Sequence, residues 1–456
     1  MDALLGMAAE RAARYLADLE GRAVAPSAGA VARLGALGGA WPEVGEEPGA
    51  VLALLDEVGS PGTVASAGGR YFGFVTGGTL PAALAANWLA GAWDQNAGLR
   101  VMSPTASALE EIAIGWLIEA LGLPQGCGWA FVTGATMANF TALAAARHAV
   151  LARVGWDVEN DGLFGAPPIA VVVSEETHVT LHKALGMLGL GRRRVVTVPN
   201  DEDGRMRADA FPALDGPTIV CLQAGNVNTG ASDPLGVLCV RAHAAGAWVH
   251  VDGAFGLWAA AAPGRARLVA GAADADSWAL DAHKWLNVPY DSGIALVRDP
   301  AALRGTMAQQ AAYLIDGPER EPMHYTPESS RRARGVEIWA ALRSLGRAGL
   351  ADLIERNCRY AARFAEGFAA AGFDVLNEVV LNQVLVSFGG DETTRRVVAA
   401  VQDEGTCWAG GTVWHGRAAM RVSVSSWATT EEDVERSLAA IVRVAEGVGR
   451  GEGDAD

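Results

Sequence analysis

The chain contains only two lysines, Lys183 and Lys284, and the second sits where covalent chemistry is possible. Lys284 closes the tetrapeptide Asp281-Ala282-His283-Lys284, just past the apolar run Ser277 to Leu280, and Trp285 follows it. A lysine amine that captures an aldehyde as an imine must be largely deprotonated, which burial or a nearby positive charge favours. Asp252 ends a second apolar run, Ala247 to Val251. A carboxylate there is costly unless a cation pairs with it, and a protonated heterocyclic nitrogen would be such a cation. Taken singly, Lys284 reads as a surface charge and Asp252, with Gly253 behind it, as a cap or turn residue. Together they read as an imine-forming amine and the carboxylate that keeps a ring electron-poor.

Gly134-Ala135-Thr136 follows the run Trp129 to Thr133 and opens the predicted helix Met137 to Val150. Backbone N–H groups and the Thr136 hydroxyl at such a turn can hold a phosphate at the positive helix end, although the same residues also serve as ordinary caps. His178, in Ser174-Glu175-Glu176-Thr177-His178, stands after another strand and could stack on a flat ring; the plainer reading is a residue that starts a helix. An amine, a carboxylate and an anion cradle at strand ends describe a site for pyridoxal 5′-phosphate.

The elements that must position these groups follow an α/β rhythm. Short apolar runs at Trp129–Thr133, Ile169–Ser174, Arg194–Val198, Thr218–Gln223, Ala247–Asp252, Ser277–Leu280 and Gly293–Val297 alternate with helical segments. Runs such as Ile169-Ala170-Val171-Val172-Val173 are apolar on both faces, as strands of a mostly parallel sheet covered on each side must be. Ligands of such sheets sit beyond the carboxyl ends of the strands, where Asp252, His283 and Lys284 fall. A long helical region, 336–371, then leads to a predicted strand 383–388, a helix 392–404, a strand 419–424 and a last helix after Thr429, which together form a smaller C-terminal α/β domain. The Gly- and acid-rich tail 449–456 has nothing to bury and is expected to be disordered.

Composition narrows the function classes. With 36 Lys and Arg against 52 Asp and Glu, a net charge of −16 disfavours nucleic acid as a partner. Cys127, Cys221, Cys239, Cys358 and Cys407 are scattered, odd in number and never in a Cys-x-x-Cys pair, so neither a disulfide framework nor a metal site is expected and a reducing cytoplasm fits. The segment after Met1 has the spacing of an amphipathic docking helix rather than a signal core, and no apolar run is long enough to span a bilayer. A cytoplasmic protein without membrane contact is the expectation.

Asp252-x-Ala254, Asp281-x-His283-Lys284-Trp285, Gly134-Ala135-Thr136 and His178 together resemble the group II pyridoxal-phosphate-dependent amino-acid decarboxylases, the family of the aromatic-L-amino-acid and glutamate decarboxylases, and the likeness covers nearly the whole chain. The resemblance implies fold type I, with a seven-stranded large domain and a homodimer whose active sites lie at the subunit interface. The implied organisation is a docking and pocket-lining segment over 1–100, the cofactor-binding domain over 101–330 and the small domain over 331–456. Carried over by position, Lys284 is the Schiff-base lysine, Asp252 the pyridinium partner, Ala254 a ring contact and His178 the stacking base. Ala135, Thr136 and His283 bind phosphate, with Asp281 beside them.

Relatives also carry a loop tyrosine that reprotonates the substrate carbon, and Tyr313 in Gln309-Gln310-Ala311-Ala312-Tyr313-Leu314 lies at the matching spacing. Aldehyde-forming relatives commonly have phenylalanine there. Arg70, Tyr71 and Phe72 with Thr79 and Leu80 resemble the segment lining the substrate side-chain pocket. The chain departs from the pattern at Gly68-Gly69, where many relatives have His-Pro, and at Asp281, where many have Asn. The expected reaction is decarboxylation of an L-amino acid to the amine and carbon dioxide. The aromatic residues of the pocket segment lean towards an aromatic or apolar substrate, while Arg70 leaves an acidic one open. Oxidative decarboxylation to an aldehyde, other lyase or transaminase chemistry, and a silent binding protein are the rivals.

Overall fold

A computed structural model describes residues 1–309 and 319–453. The apolar runs become seven strands, β1 (Gly128–Val132), β2 (Ala170–Ser174), β3 (Val196–Val198), β4 (Thr218–Gln223), β5 (Trp248–Asp252), β6 (Ser277–Asp281) and β7 (Gly293–Val297). They form one sheet in the order β1-β7-β6-β5-β4-β2-β3. The ladders from β6 through β5, β4 and β2 to β3 are parallel, whereas β7 runs antiparallel to both its neighbours, β1 and β6. β1, β4, β5, β6 and β7 are buried along their whole length, which explains why their sequences are apolar on both faces rather than alternating. The short edge strand β3 leaves Val196 and Thr197 exposed.

These strands belong to a compact unit made of Thr79–Ala361 and Asn377–Gln383. The helix Ala135–Ala152 covers one face of its sheet. Ala142, Leu143, Ala145 and Ala146 are fully buried against Val171, Ile219 and Val297, with Leu181 and Leu185 of the helix Val179–Met187 alongside. Small alanines let the helix axis approach the strands closely, so the alanine-rich composition has a packing role here.

The second unit gathers Met1–Gly78, Ala362–Leu376 and the residues from Val384 onward. Its sheet runs β10-β11-β9-β8, with β8 at Asp374–Val375, β9 at Gln383–Ser387, β10 at Gly410–Trp414 and β11 at Arg417–Ser423. The N-terminal segment is stitched to the C-terminal residues by backbone hydrogen bonds, Val24 N–H to Gly405 O at 2.9 Å and Phe72 N–H to Trp408 O at 2.8 Å. The first helix, Asp2–Asp18, buries no residue, and Arg11 and Arg14 both reach Asp56, at 2.7 and 2.8 Å.

The long helical region expected over 336–371 is found at Gly335–Ala370, with a break at Gly346, which adopts φ 61°, a left-handed conformation that glycine takes without a Cβ clash. One sequence expectation is corrected. The tail expected to be disordered from 449 is helical to Gly453, because propagation from a long preceding helix needs no new nucleus. No helix among the described residues is long and apolar enough to cross a membrane.

Candidate active site

The carboxyl ends of β4, β5 and β6 converge on a cavity of about 240 Å³. Sheet register sets the spacing, with Gln223 opposite Asp252 and Asp252 opposite Ala279, so strand ends that are distant in sequence finish side by side. Ala135, Thr136, His178, Asp252, Ala254, Asp281, His283 and Lys284 all line this one cavity.

Lys284 lies just beyond β6, its side chain mostly buried, with Nζ 3.2 Å from Asp281 Oδ2 and 5.9 Å from the centre of the Phe255 ring. The other oxygen of Asp281 accepts the Ala135 N–H at 2.5 Å, at the first residue of the Ala135–Ala152 helix. His283 Nδ1 accepts the Ser292 N–H at 3.2 Å. That bond leaves the ring proton on Nε2, which lies 3.4 Å from Asp281 Oδ1. Burial pulls the His283 imidazole below its usual pKa, so the ring is neutral near pH 7 despite the acid beside it. Gly134 leaves the turn open: a Cβ there would stand 3.1 Å from His283 Cε1 and 3.2 Å from Asp281 Oδ1.

Asp252 is held by the protein from behind. Its Oδ1 accepts the Ala254 N–H at 3.1 Å and its Oδ2 accepts from Asn139 Nδ2 at 3.0 Å. Asn139 Oδ1 lies 2.8 Å from His250 Nε2, His250 Nδ1 lies 2.9 Å from Ser277 Oγ, and Trp248 Nε1 donates to that same oxygen at 2.9 Å. Only one set of protons satisfies the chain: Ser277 O–H to His250 Nδ1, His250 Nε2–H to Asn139, Asn139 N–H to Asp252. Burial drives the His250 pKa down to about 4, against a smaller opposing pull from Asp252, so this ring is neutral, as the chain requires. His178 caps the helix Val179–Met187, its Nδ1 accepting the Thr180 N–H at 3.3 Å, and also faces the cavity. For His178 and Asp252 the capping role and the cavity position coexist.

The remaining expected residues lie elsewhere. Arg70, Tyr71 and Phe72 belong to the second unit. The Arg70 guanidinium is buried there and donates to the carbonyl oxygens of Thr406, Glu20 and Arg22, with Asp433 at 3.7 Å. Tyr71 stacks on Trp408 at 5.2 Å, and Phe72 meets Phe364 edge-on at 5.1 Å. Thr79 and Leu80 begin the larger unit, where Leu80 donates its N–H to Asn287 O at 2.8 Å. Tyr313 lies outside the described residues.

Sequence reasoning missed Asn139, His250 and Ser277 behind Asp252, and Gln223, Thr180 and Phe255 in the cavity wall. Polar residues inside otherwise apolar, fully buried elements were the available signal. Gln223 is 4% exposed and its Nε2 has no hydrogen-bond partner, an orphaned donor in the wall. A burial of that kind calls for a polar ligand. With the Lys284 amine, the Asp252 carboxylate and the open helix start at Gly134, the donor set fits pyridoxal phosphate.

Comparison with known proteins agrees. Residues 58–389 match the model of the pyridoxal-dependent decarboxylase conserved domain. Tryptophan decarboxylase 1 of Oryza sativa subsp. japonica is 28% identical over 82% of this chain and 80% of its own length. The L-2,4-diaminobutyrate decarboxylase of Rhizobium meliloti (strain 1021) is 30% identical over 79% of this chain and 74% of its own. In fold, the Oryza sativa tryptophan decarboxylase solved with the cofactor and tryptamine superposes with a TM-score of 0.89 at 24% identity, covering 98% of this chain and 97% of that one. The 4-hydroxyphenylacetaldehyde synthase of Rhodiola rosea gives 0.84 at 24% identity, with 98% of each chain covered. The chain belongs to the family of pyridoxal-phosphate-dependent amino-acid decarboxylases.

Proposed function

We propose that this protein removes the carboxylate of an L-amino acid with an aromatic or otherwise apolar side chain, releasing the amine and carbon dioxide. The observation that carries the side-chain preference is the use made of Arg70. Its guanidinium is already spent on three backbone carbonyls and Asp433, so the one arginine of the pocket-like segment is not free to read an acidic side chain. The tryptophan and tyrosine decarboxylases among the relatives point the same way, and a diamino acid is the alternative that the Rhizobium relative supports.

Pyridoxal phosphate, when bound, supplies an electron sink for the pair left behind by the departing carboxylate. The protein's own residues do the rest. Lys284 would hold the cofactor covalently, and Asp252, oriented by Asn139 and the Ala254 N–H, would keep a proton on the ring nitrogen. The turn at Ala135 and Thr136, with His283, would bind the phosphate, and His178 would pack on the ring. Tyr313 delivers a proton to the substrate carbon, which favours the amine over the aldehyde that the Rhodiola relative is named for.

We infer that two copies pair and complete the site. The helix Pro81–Trp93 leaves Trp88, Leu89 and Trp93 exposed, at 46%, 55% and 43%, an apolar set that a subunit interface would cover. The deciding experiment is a screen of common and non-standard amino acids for carbon dioxide release by the holoenzyme, with product identification. Release of an aromatic amine supports the proposal; turnover confined to glutamate, aspartate or diaminobutyrate ends the side-chain assignment.

A further inference from the structure

The Ala135 N–H is the first free donor of an 18-residue helix, and such a donor is what an anion at a helix start uses. Here a side chain of the protein takes it. Asp281 Oδ1 stands 2.5 Å from that nitrogen while Asp281 Oδ2 stands 3.2 Å from Lys284 Nζ. One carboxylate therefore engages both groups that the cofactor needs, the phosphate donor and the anchoring amine. The Asp281 side chain is 5% exposed, so solvent and salt screen its charge weakly. The cavity wall offers little to offset it. Among the described residues Lys284 is the only lysine in the wall and no arginine lines it, and both histidines there, His178 and His283, have a ring nitrogen accepting a backbone N–H. The orphaned Gln223 Nε2 marks the same cavity as built for a polar ligand.

We propose that Asp281 is an internal competitor of the cofactor phosphate, contending for the Ala135 N–H and repelling the phosphate charge, so that affinity for pyridoxal phosphate is set below what a neutral amide at this position would give. The phosphate-bearing cofactor carries the penalty, and the same aldehyde without phosphate escapes most of it. This rests on the reading of the Gly134-Ala135-Thr136 turn and Lys284 as the cofactor's anchors.

The test titrates the full-length protein, stripped of cofactor, with pyridoxal phosphate and separately with pyridoxal, following the visible absorption band, in the wild type and in Asp281→Asn. The expected result is a Kd for pyridoxal phosphate lowered by roughly tenfold or more in the variant, with the Kd for pyridoxal changed far less. Asp281→Ser removes the same charge and carries the same expectation should the asparagine variant fail to fold. An unchanged or weaker affinity for pyridoxal phosphate overturns the inference, as does an equal gain for both aldehydes, which would place the effect on the lysine alone. Borohydride reduction and peptide mapping keep the two failures apart: label on Lys284 with no gain in affinity removes only the role of Asp281, and label on another residue removes the anchor reading as well.

Discussion

His250 and Asn139 are hydrogen-bonded at 2.8 Å inside the sheet–helix core, and this contact determines how the Asn139 amide presents itself to Asp252. Because the imidazole donates from Nε2, the Asn139 oxygen must face it and the Asn139 nitrogen must face the carboxylate. Replacing Asn139 with Ala removes one hydrogen bond to a buried acid, worth about 1.5–3 kcal/mol. The expected outcome is a kcat or cofactor affinity reduced roughly 10- to 100-fold, with a displaced visible absorption band. A variant with unaltered spectrum and rate would show that Asp252 does not depend on this support.

Lys284→Ala should leave a folded protein, judged by its circular dichroism, with turnover at background and no borohydride-stable label. Asp252→Ala should retain the label but lose on the order of 10²–10³-fold in kcat, the range for removing one preorganised electrostatic partner. Wild-type rates in either variant would remove the proposed mechanism.

Stability should depend on pH through His250. In the unfolded chain its ring titrates near 6.5, and burial lowers that to about 4 in the fold. Between these values the unfolded chain binds the additional proton. The His250 contribution is therefore complete above about 6.5 and is lost as pH falls towards 4, at up to about 1.4 kcal/mol per pH unit. Asp233, raised by burial to about 6, has the opposite sign, losing its contribution as pH rises through 6. It is common to the wild type and to His250→Asn, so the difference between their Tm curves from pH 4 to 7 isolates the histidine. Parallel curves would mean that the His250 ring has the same pKa in the fold as in the unfolded chain.

Tyr313→Phe should shift products from amine towards aldehyde, with dissolved dioxygen and water consumed and ammonia and hydrogen peroxide appearing alongside carbon dioxide. Mass-spectrometric product ratios decide this, and an amine-only product from the variant would take the proton-delivery role away from Tyr313.

All five cysteines are free and buried, and burial pushes the thiols of Cys239, Cys358 and Cys407 up to about 12 and raises that of Cys221 further. Native protein should be nearly inert to a thiol-specific disulfide reagent at pH 8 and should expose five thiols in denaturant. Fast modification of any one in the native state would contradict the packing described.

The strands were legible because burial on both faces leaves an uninterrupted apolar run, as in Val171 to Val173 or Ile219 to Leu222. β10 was not, since Gly410, Gly411 and Thr412 alternate between partial and full exposure and lack that signature. The grouping of the N-terminal segment with the C-terminal residues rests on pairings such as Val24 with Gly405, which no local pattern announces. At the site, Lys284 and Asp252 stood out because a charge at the end of an apolar strand is costly without a partner. Asn139, His250 and Ser277 were silent because each is individually unremarkable, and only the fold brings the helix, β5 and β6 into hydrogen-bond range.

Gly293 of β7 pairs with both Val132 and Asp281 and lies so near Gly134 that a methyl group on it would come within 2.4 Å of the Gly134 Cα. The two halves of the proposed cofactor anchorage, which are separated by more than a hundred residues of chain, therefore meet across a gap that only hydrogen atoms can occupy. A change as small as alanine at this remote-looking position would pry the Gly134 turn away from β7, which pairs with β6 just ahead of Lys284, so tolerance at 293 should be as narrow as at the proposed catalytic residues themselves.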